Sequence, residues 1–119
     1  MSLVHAVSEQ VVAAAVPVGM LLRFDREAAR DLDTTLELRL AGSDARFAVR
    51  VAEGRCRVAR RAAPEAAAHV TISEGDLVRL ISGTVPWTAL LARGRLELGG
   101  DPFLALRFPK LFRVGPGGG

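Results

Sequence analysis

Cysteine is almost absent from this sequence. Cys56 is the only one in 119 residues, which excludes an internal disulfide, and one cysteine by itself cannot form a zinc site. We expect Cys56 to be a small core residue. His5 and His69 are expected at the surface rather than as metal ligands, and Gly99-Gly100-Asp101 is not a dinucleotide-binding fingerprint. No metal or cofactor is therefore predicted.

Long apolar runs are also missing, although hydrophobic residues make up 50% of the chain. No run of about eighteen uninterrupted apolar residues could span a bilayer. The longest apolar region, 11–22, is broken by Pro17 and Gly19 and lacks a basic leader with a cleavage site, which argues against a signal peptide. We expect one cytoplasmic domain, long enough for one core and too short for two.

Lysine is nearly absent, because every basic residue except Lys110 is an arginine. The formal net charge is +3, and arginines scattered among acidic residues usually form a solvated surface. One short run concentrates four of them, Arg55, Arg57, Arg60 and Arg61. That run could contact phosphate or an anionic headgroup, but a solvated strand edge is the preferred interpretation. Nucleic acid is not an expected partner.

Residues 1–33 are predicted to form an N-terminal helical segment. Valines recur at helical spacing before Pro17, which should interrupt the helix. Residues 18–24 are expected to be a second short helical piece or an extended apolar connector. Asp25 is a suitable cap for a short, solvent-facing helix over 26–30.

Alternating apolar and polar residues predict a sheet after this segment. The first strand begins near Thr34, and two turns containing glycine lead into a second and a third strand as a meander. One face of the first two strands carries Leu36, Leu38, Leu40, Phe47, Val49 and Val51. A fourth strand follows at Val70 and a fifth at Leu96. The opposite face is rich in arginine and glutamate, so we expect an α+β fold in which helices cover the apolar face of a mostly antiparallel five-stranded sheet.

The second half of the chain adds three helical runs. Ser73 and Asp76 have the spacing of a helix cap, and Asp101 followed by Pro102 marks another helix start. The last of these helices is apolar on nearly every side. It must therefore be deeply buried or close over an apolar cavity, and periodicity alone favours an ordinary solid core.

The order of these elements resembles the sterol carrier protein family, of the sterol carrier protein 2 type, over residues 34–112. Four stretches carry the resemblance: Val70-Thr71-Ile72-Ser73, the Asp-Leu-x-x-Leu-x-x-Gly pattern of 76–83, the Gly-x-Leu-x-Leu-x-Gly-Asp pattern of 94–101, and Phe103-Leu104-Ala105-Leu106. The chain departs from the family pattern at Pro102 and at Pro109, which should break the last helix early, and residues 11–22 do not align with it. The glycine-rich tail, 113–119, is expected to be disordered and lacks a peroxisomal Ser-Lys-Leu ending, as in a bacterial cytoplasmic member.

The resemblance implies an apolar tunnel between the sheet and its helices, which holds a fatty acid, a fatty acyl-coenzyme A or a sterol without chemical change. By position, its wall should comprise Leu80, Ile81, Trp87, Leu90 and Leu91. Its lid should comprise Phe103, Leu104, Leu106, Phe108, Leu111 and Phe112. Arg79, Arg93 and Arg107 are candidates for holding an anionic headgroup. The expected partners are a long-chain lipid, a membrane contacted transiently and a second copy of the chain.

Two other classes of function remain open. An interaction module would use the apolar last helix or the N-terminal segment as a dimer interface, with no ligand. An enzyme would need an acid or a histidine facing the cavity, and the sequence predicts none at an apolar-facing position. His69, Ser73 and Asp76 lie too close together at a strand–helix junction to be assumed a triad. We therefore predict a carrier without enzymatic activity.

Overall fold

The computed structural model describes residues 16–112. Residues 16–23 are helical and form the described part of α1. The following elements are β1 (Asp33–Ala41), β2 (Arg46–Ala52), β3 (Arg55–Ala59), β4 (Ala68–Ser73), α2 (Glu74–Ile81), α3 (Trp87–Ala92), β5 (Glu97–Gly100), α4 (Pro102–Arg107) and a 3-10 turn (Phe108–Leu111). The expectations for residues 1–15 and for the tail lie outside the described residues.

The five strands form one mixed sheet in the order β3-β2-β1-β4-β5. β1 and β4 are parallel, and the other three neighbouring pairs are antiparallel. The predicted α+β class, the mostly antiparallel sheet and the opening meander are confirmed. Leucine, valine and phenylalanine side chains of β1 and β2 are buried on one face, which we call the inner face. The opposite face is called the outer face.

A two-residue turn fixes the register of the β2–β3 hairpin. Its residues Glu53 and Gly54 have φ values of 54° and 70°, and positive φ at both positions is the geometry of a type I′ turn, which suits the twist of a hairpin. The pair that closes the turn is Ala52 and Arg55. Arg55 and Arg57 consequently point to the outer face, while Cys56 and Val58 pack against the core.

The connection between β3 and β4 crosses the outer face of the sheet. It is held there by the N–H of Ala67, which donates to the carbonyl of Thr35 at 2.9 Å, and by the N–H of Ala63, which donates to Oε2 of Glu37 at 2.6 Å. Glu37 is only 3% exposed. Alternation along β1 places Glu37 on the outer face, and the crossover covers it there.

Helix caps follow the sequence closely, with one exception. Ser73 Oγ accepts the N–H of Asp76, and Asp101 Oδ1 accepts the N–H groups of Phe103 and Leu104, which satisfies donors that a helix start leaves unpaired. The helix predicted over 26–30 is instead a series of turns, although Asp25 does cap it. This stretch is short, and Ala29 anchors it in the core with no exposed surface.

Gly100 is a position where only glycine fits. Its φ is +75°, and a Cβ there would lie 2.5 Å from the carbonyl oxygen of Ala67 and 2.8 Å from Cα of Ala68. Left-handed backbone costs an alanine roughly 1–2 kcal/mol, and the backbone clash adds to that cost.

We therefore expect Gly100→Ala to lower the free energy of unfolding by at least about 2 kcal/mol in urea titrations. Gly75→Ala is the matched control, because a Cβ at Gly75 meets nothing within 4 Å. Equal urea midpoints for the two variants would contradict this account of Gly100.

The inner face is covered by the helical segments. The buried core joins residues of β1, β2 and β4 to Met20 of α1, Leu77 of α2, Leu90 of α3 and Ala105 of α4. Among the described residues, no helix is both long and apolar enough to cross a membrane. The space that remains between the sheet and these helices is the candidate site.

Candidate lipid-binding site

An apolar cavity lies between the inner face and the segments α1, α2 and 108–112. Its lining comprises Met20, Arg23, Leu38, Val70, Ile72, Leu77, Leu80, Ile81, Leu96, Phe108, Pro109 and Phe112. Its volume is about 40 Å³, whereas pockets for drug-sized ligands occupy about 300–1,000 Å³. A long acyl chain would therefore require the surrounding segments to move apart.

Among the lining residues that the structure describes, Arg23 is the one that carries a charge. It lies in the last turn of α1 and is half-buried. Within residues 16–112 its guanidinium has neither an ion-pair partner nor a hydrogen-bond partner. An arginine held beside an apolar cavity without a carboxylate can bind an anionic group through charge-assisted hydrogen bonds.

A seam between α1 and the end of the described chain closes one side of the cavity. Phe24 and Phe112 form an isolated β-bridge, and their ring centroids lie 5.9 Å apart. The N–H of Asp25 donates to the carbonyl of Leu111 at 2.7 Å. Within residues 16–112, the bridge and this hydrogen bond are the backbone contacts that hold the seam closed.

Glycine lets α1 approach α2 on the other side of the cavity. A Cβ on Gly19 would lie 2.9 Å from Cγ2 of Ile81, so a larger residue would push the two helices apart. The Ile81 side chain is thereby held at the cavity lining. The N-terminal segment, which did not align with the family pattern, thus builds part of the site.

The predicted wall and lid residues fall into three groups. Those that line the cavity are Leu80, Ile81, Phe108 and Phe112. Those that are buried or half-buried elsewhere are Trp87, Leu90, Leu91, Leu104 and Leu111. Phe103 and Leu106 are 79% and 41% exposed. The assignment of all of them to ligand binding stays a prediction.

The last helix is interrupted at Pro109, the residue that was predicted to break it early. Proline has no N–H to continue the α-helical pattern, so α4 ends at Arg107 and a 3-10 turn follows. The change of helix type turns Phe108 and Leu111 inward, where they are 5% and 0% exposed. Phe103 is left on the solvent side of α4.

The predicted headgroup arginines do not line the cavity. Arg79 donates to Asp76, and Arg107 donates to Asp31 and to the carbonyl of Ala28. Hydrogen bonding to Arg107 holds the pKa of Asp31 below its ordinary value. Arg93 lies exposed at the end of α3. Arg79 and Arg107 therefore act first as structural ion-pair partners.

Asp76 has a structural role that its capping spacing did not indicate. It is 2% exposed, and Arg95 donates to both of its carboxylate oxygens, at 2.7 and 3.1 Å. The hydrogen bond from Arg95 is the main reason that the pKa of Asp76 is lowered, against the opposing effect of burial. The pair ties the start of α2 to the connection that precedes β5.

The residues with acid–base or nucleophilic chemistry lie elsewhere. His69 is on the outer face, where its ring occupies the space that a Cβ of Gly99 would fill. Burial raises the pKa of the Cys56 thiol to about 11, so this thiol stays protonated near neutral pH. In the part of the chain that the structure describes, the cavity lining contains no acid, histidine or cysteine.

Several lining residues were missed as site residues. Leu38, Val70, Ile72, Leu77 and Leu96 were not among the predicted wall and lid residues, and only the folded arrangement of sheet and helices shows that they border the cavity. Met20 and Arg23 come from α1. Their three-residue separation puts them on one helical face, a signal that the sequence does contain.

The structure is an α+β domain with an apolar cavity between its sheet and its helices. Such a cavity suits an apolar ligand. The chain belongs to the SCP-2 sterol transfer family, whose sequence profile matches residues 21–113. Members of this family are lipid-binding carrier domains, and that is the class of this chain. Comparison with curated proteins found no significant relative.

Solved structures share the fold at low sequence identity. The UbiJ-SCP2 ubiquinone synthesis protein is 23% identical, with a TM-score of 0.63, over 87% of this chain and 94% of that one. Palmitated SCP2L2 from Aedes aegypti is 20% identical, with a TM-score of 0.58, over 84% of this chain and 86% of that one.

A third similar structure is a larger enzyme. The sec-alkylsulfatase Pisa1 from Pseudomonas sp. is 19% identical, with a TM-score of 0.63, over 78% of this chain. The matched region spans only 15% of the sulfatase. The same fold thus occurs as one part of an enzyme, and the sulfatase's activity does not transfer to this chain.

Proposed function

We propose that this domain binds one long-chain lipid with an anionic headgroup, a fatty acid or a fatty acyl-coenzyme A, and carries it without chemical change. The observation that supports this ligand class is that Arg23, which has no ion-pair or hydrogen-bond partner within residues 16–112, lies beside an apolar cavity. The acyl chain would lie against Ile72, Leu80 and Ile81. The carboxylate or phosphate would meet the Arg23 guanidinium.

Burial of the acyl chain supplies enough free energy for useful affinity. Each buried methylene contributes roughly 0.8 kcal/mol, so ten give a gross ~8 kcal/mol. Association and ordering costs reduce this sum, and a charge-assisted hydrogen bond from Arg23 adds about 1.5–3 kcal/mol. Micromolar dissociation constants, which correspond to about −8.2 kcal/mol, are within reach.

Access for the lipid requires the seam between α1 and 108–112 to open. The cavity of about 40 Å³ is already apolar, so an entering chain gains contacts as it separates Phe24 from Phe112. Trp87 lies outside the lining but forms a cation–π contact with Lys110 of the 3-10 turn, whose Nζ is 5.9 Å from the ring centroid. Movement of the 3-10 turn should therefore change the fluorescence of Trp87.

The experiment is a titration of delipidated protein with a fluorescent fatty acid, followed by competition with palmitate, palmitoyl-coenzyme A, hexadecanol and cholesterol. We expect saturable one-to-one binding, displacement by both anionic lipids, and weaker displacement by the alcohol and the sterol. Absence of saturable binding would overturn the carrier function. Equal competition by all four ligands would overturn the anionic headgroup alone.

Arg23→Gln should weaken palmitate binding by about tenfold or more, because a charge-assisted hydrogen bond of about 1.5–3 kcal/mol is lost. Its affinity for hexadecanol should change little. Arg93→Gln is the matched control, since Arg93 is exposed and does not border the cavity. Calorimetry on the two variants checks the prediction. A larger loss of palmitate affinity in Arg93→Gln than in Arg23→Gln would indicate that Arg93, a candidate from the sequence, binds the headgroup instead.

Transient membrane contact is part of the proposal. α1 presents an exposed apolar stripe in which Val18 is 58% and Leu22 81% exposed, with Arg23 and Arg26 beside it. An apolar stripe flanked by arginines suits insertion into the interface of an anionic membrane. The same helix borders the cavity, so membrane contact would occur next to the opening seam.

Replacing Val18 and Leu22 together by serine should slow transfer of a fluorescent fatty acid between anionic vesicles several-fold, since about 25 cal/mol is lost per Å² of apolar surface withheld from the membrane. The equilibrium dissociation constant for the fatty acid should stay unchanged. Thr88→Ser in α3 is a surface control. Unaltered transfer kinetics would exclude α1 as the membrane contact.

A dimerisation module is the second candidate, favoured by the exposure of Phe103 and Leu106 on one side of α4. These two residues, rather than the buried Phe108, are the ones to replace by serine in sedimentation velocity. A dimer that the double variant abolishes, in protein that binds no fatty acid, would favour this candidate. Cytoplasmic location and bacterial origin stay predictions.

A further inference from the structure

Among the residues that the structure describes, strand β3 has a free edge, because it ends the sheet order and pairs only with β2. Because antiparallel ladder bonds alternate, and the type I′ turn closes at Ala52 and Arg55, the N–H and C=O groups of Cys56 and Val58 point away from β2. Within residues 16–112, the only other backbone bond to β3 comes from the N–H of Arg61 to the carbonyl of Ala59.

The outer side of this edge carries unbalanced positive charge. Arg55 and Arg57 are exposed, and Arg57 lies directly opposite Arg50 of β2. Arg50 has a partner, because it donates to Asp33. No carboxylate pairs with Arg55 or Arg57 among the described residues. Like charges on facing strand positions are destabilising, so this row would gain from an added anion.

We propose that the free edge of β3 binds an extended acidic segment of another protein, which adds to the sheet as a sixth strand. Its backbone would bond to the outward groups of Cys56 and Val58. Acidic side chains at alternate positions of an extended strand recur about every 6.8 Å, which is also the spacing of Arg55 and Arg57. The apolar side chains between them would contact the half-buried Cys56 and Val58.

Charge argues against a second copy of this chain as the occupant. Antiparallel pairing of two β3 strands would set arginine rows against each other, and charged edges are a common means of preventing self-association. The surface is also poorly suited to single-stranded nucleic acid, which stacks its bases on aromatic side chains. Over residues 16–112, no phenylalanine or tryptophan occupies an outer-face strand position, and the His69 ring lies against Gly99 of β5. An acidic extended peptide is therefore the occupant that fits.

The experiment uses the full chain and a short, fluorescein-labelled peptide of alternating valine and glutamate. We expect saturable fluorescence polarisation that weakens with added salt, and amide chemical-shift changes concentrated at 55–59. A peptide N-methylated at alternate amides tests the backbone bonds without altering the protein. It should bind at least about tenfold more weakly, because its bonding edge is blocked while its charge is kept.

Arg55→Glu combined with Arg57→Glu should lower affinity by at least about tenfold, since two attractive charge pairs become repulsive. Arg93→Glu combined with Lys110→Glu changes the net charge equally at exposed positions in the helical segments, and should stay within about twofold of the original affinity. Circular dichroism establishes that both variants are folded.

Three results would overturn the proposal. Equal binding of the N-methylated peptide would show that charge acts without strand addition. Equal loss in both double variants would show that net charge, rather than the β3 edge, is responsible. Absence of saturable peptide binding, including a case in which single-stranded DNA or anionic vesicles bind at the same arginines, would assign the surface to another partner.

Discussion

Leu80→Trp should weaken fatty acid binding by roughly 10- to 100-fold. Leu80 lines the cavity and is half-buried, so an indole can occupy the space that an acyl chain needs. A lipid would then have to displace the indole or overpack the site, and overpacking typically costs about 1–3 kcal/mol. Titration with a fluorescent fatty acid measures the change, and thermal unfolding monitors stability.

Leu91→Trp is the matched control for this prediction. Leu91 is also a half-buried helical leucine that the sequence assigned to the tunnel wall, but it does not border the cavity. We expect its affinity to stay within about threefold of the original, well under 1.4 kcal/mol. A greater loss in Leu91→Trp than in Leu80→Trp would move the ligand towards α3.

Glu37→Ala should lower the free energy of unfolding by about 3 kcal/mol. The substitution leaves the buried N–H of Ala63 without an acceptor, which costs about 1–3 kcal/mol, and it removes the partner of Arg39 and Arg46. Both arginines are partly exposed, so water screens the loss of those ion pairs. Urea titration measures the effect. Glu97→Ala, an exposed acid on β5, should change stability by under about 0.5 kcal/mol.

The contribution of Glu37 to folding stability depends on pH in a defined direction. Burial disfavours the charged form of Glu37, but the N–H of Ala63 and the two arginines outweigh burial and lower its pKa. A lowered pKa in the folded state gives stability above the unfolded value of about 4.3 and loses it as pH falls through the folded value. The advantage of the original protein over Glu37→Gln should therefore shrink on acidification. If the difference in free energy of unfolding between the two proteins stays constant as the pH falls below about 4.3, Glu37 is not ionised in the folded protein as described.

Local patterns predicted most of the fold. Alternation over 34–51 determines which side chains face the core, because a strand presents successive residues to opposite faces. Ser73 and Asp101 mark helix starts, because their side chains satisfy N–H groups within three residues. These interactions are local, so a single sequence contains the information they need.

The parts that escaped prediction depend on contacts between distant segments. Glu37 is buried by the crossover at 60–67, a stretch with no periodic pattern. Arg23 becomes a site residue only when α1 packs on α2 and on 108–112. The same limit explains the last helix, where an apolar composition could not show that Phe103 faces solvent while Phe108 faces the cavity.

The most direct test of the lipid site is a set of intermolecular NOEs between ¹³C-labelled palmitate and the methyl groups of the protein, measured with the protein saturated with palmitate. We expect NOEs from the acyl chain to Ile72, Leu80 and Ile81, which border the cavity. NOEs confined to Leu91 and Leu106, or to the exposed Leu22, would contradict it, because the lipid would then lie outside the space between the sheet and its helices.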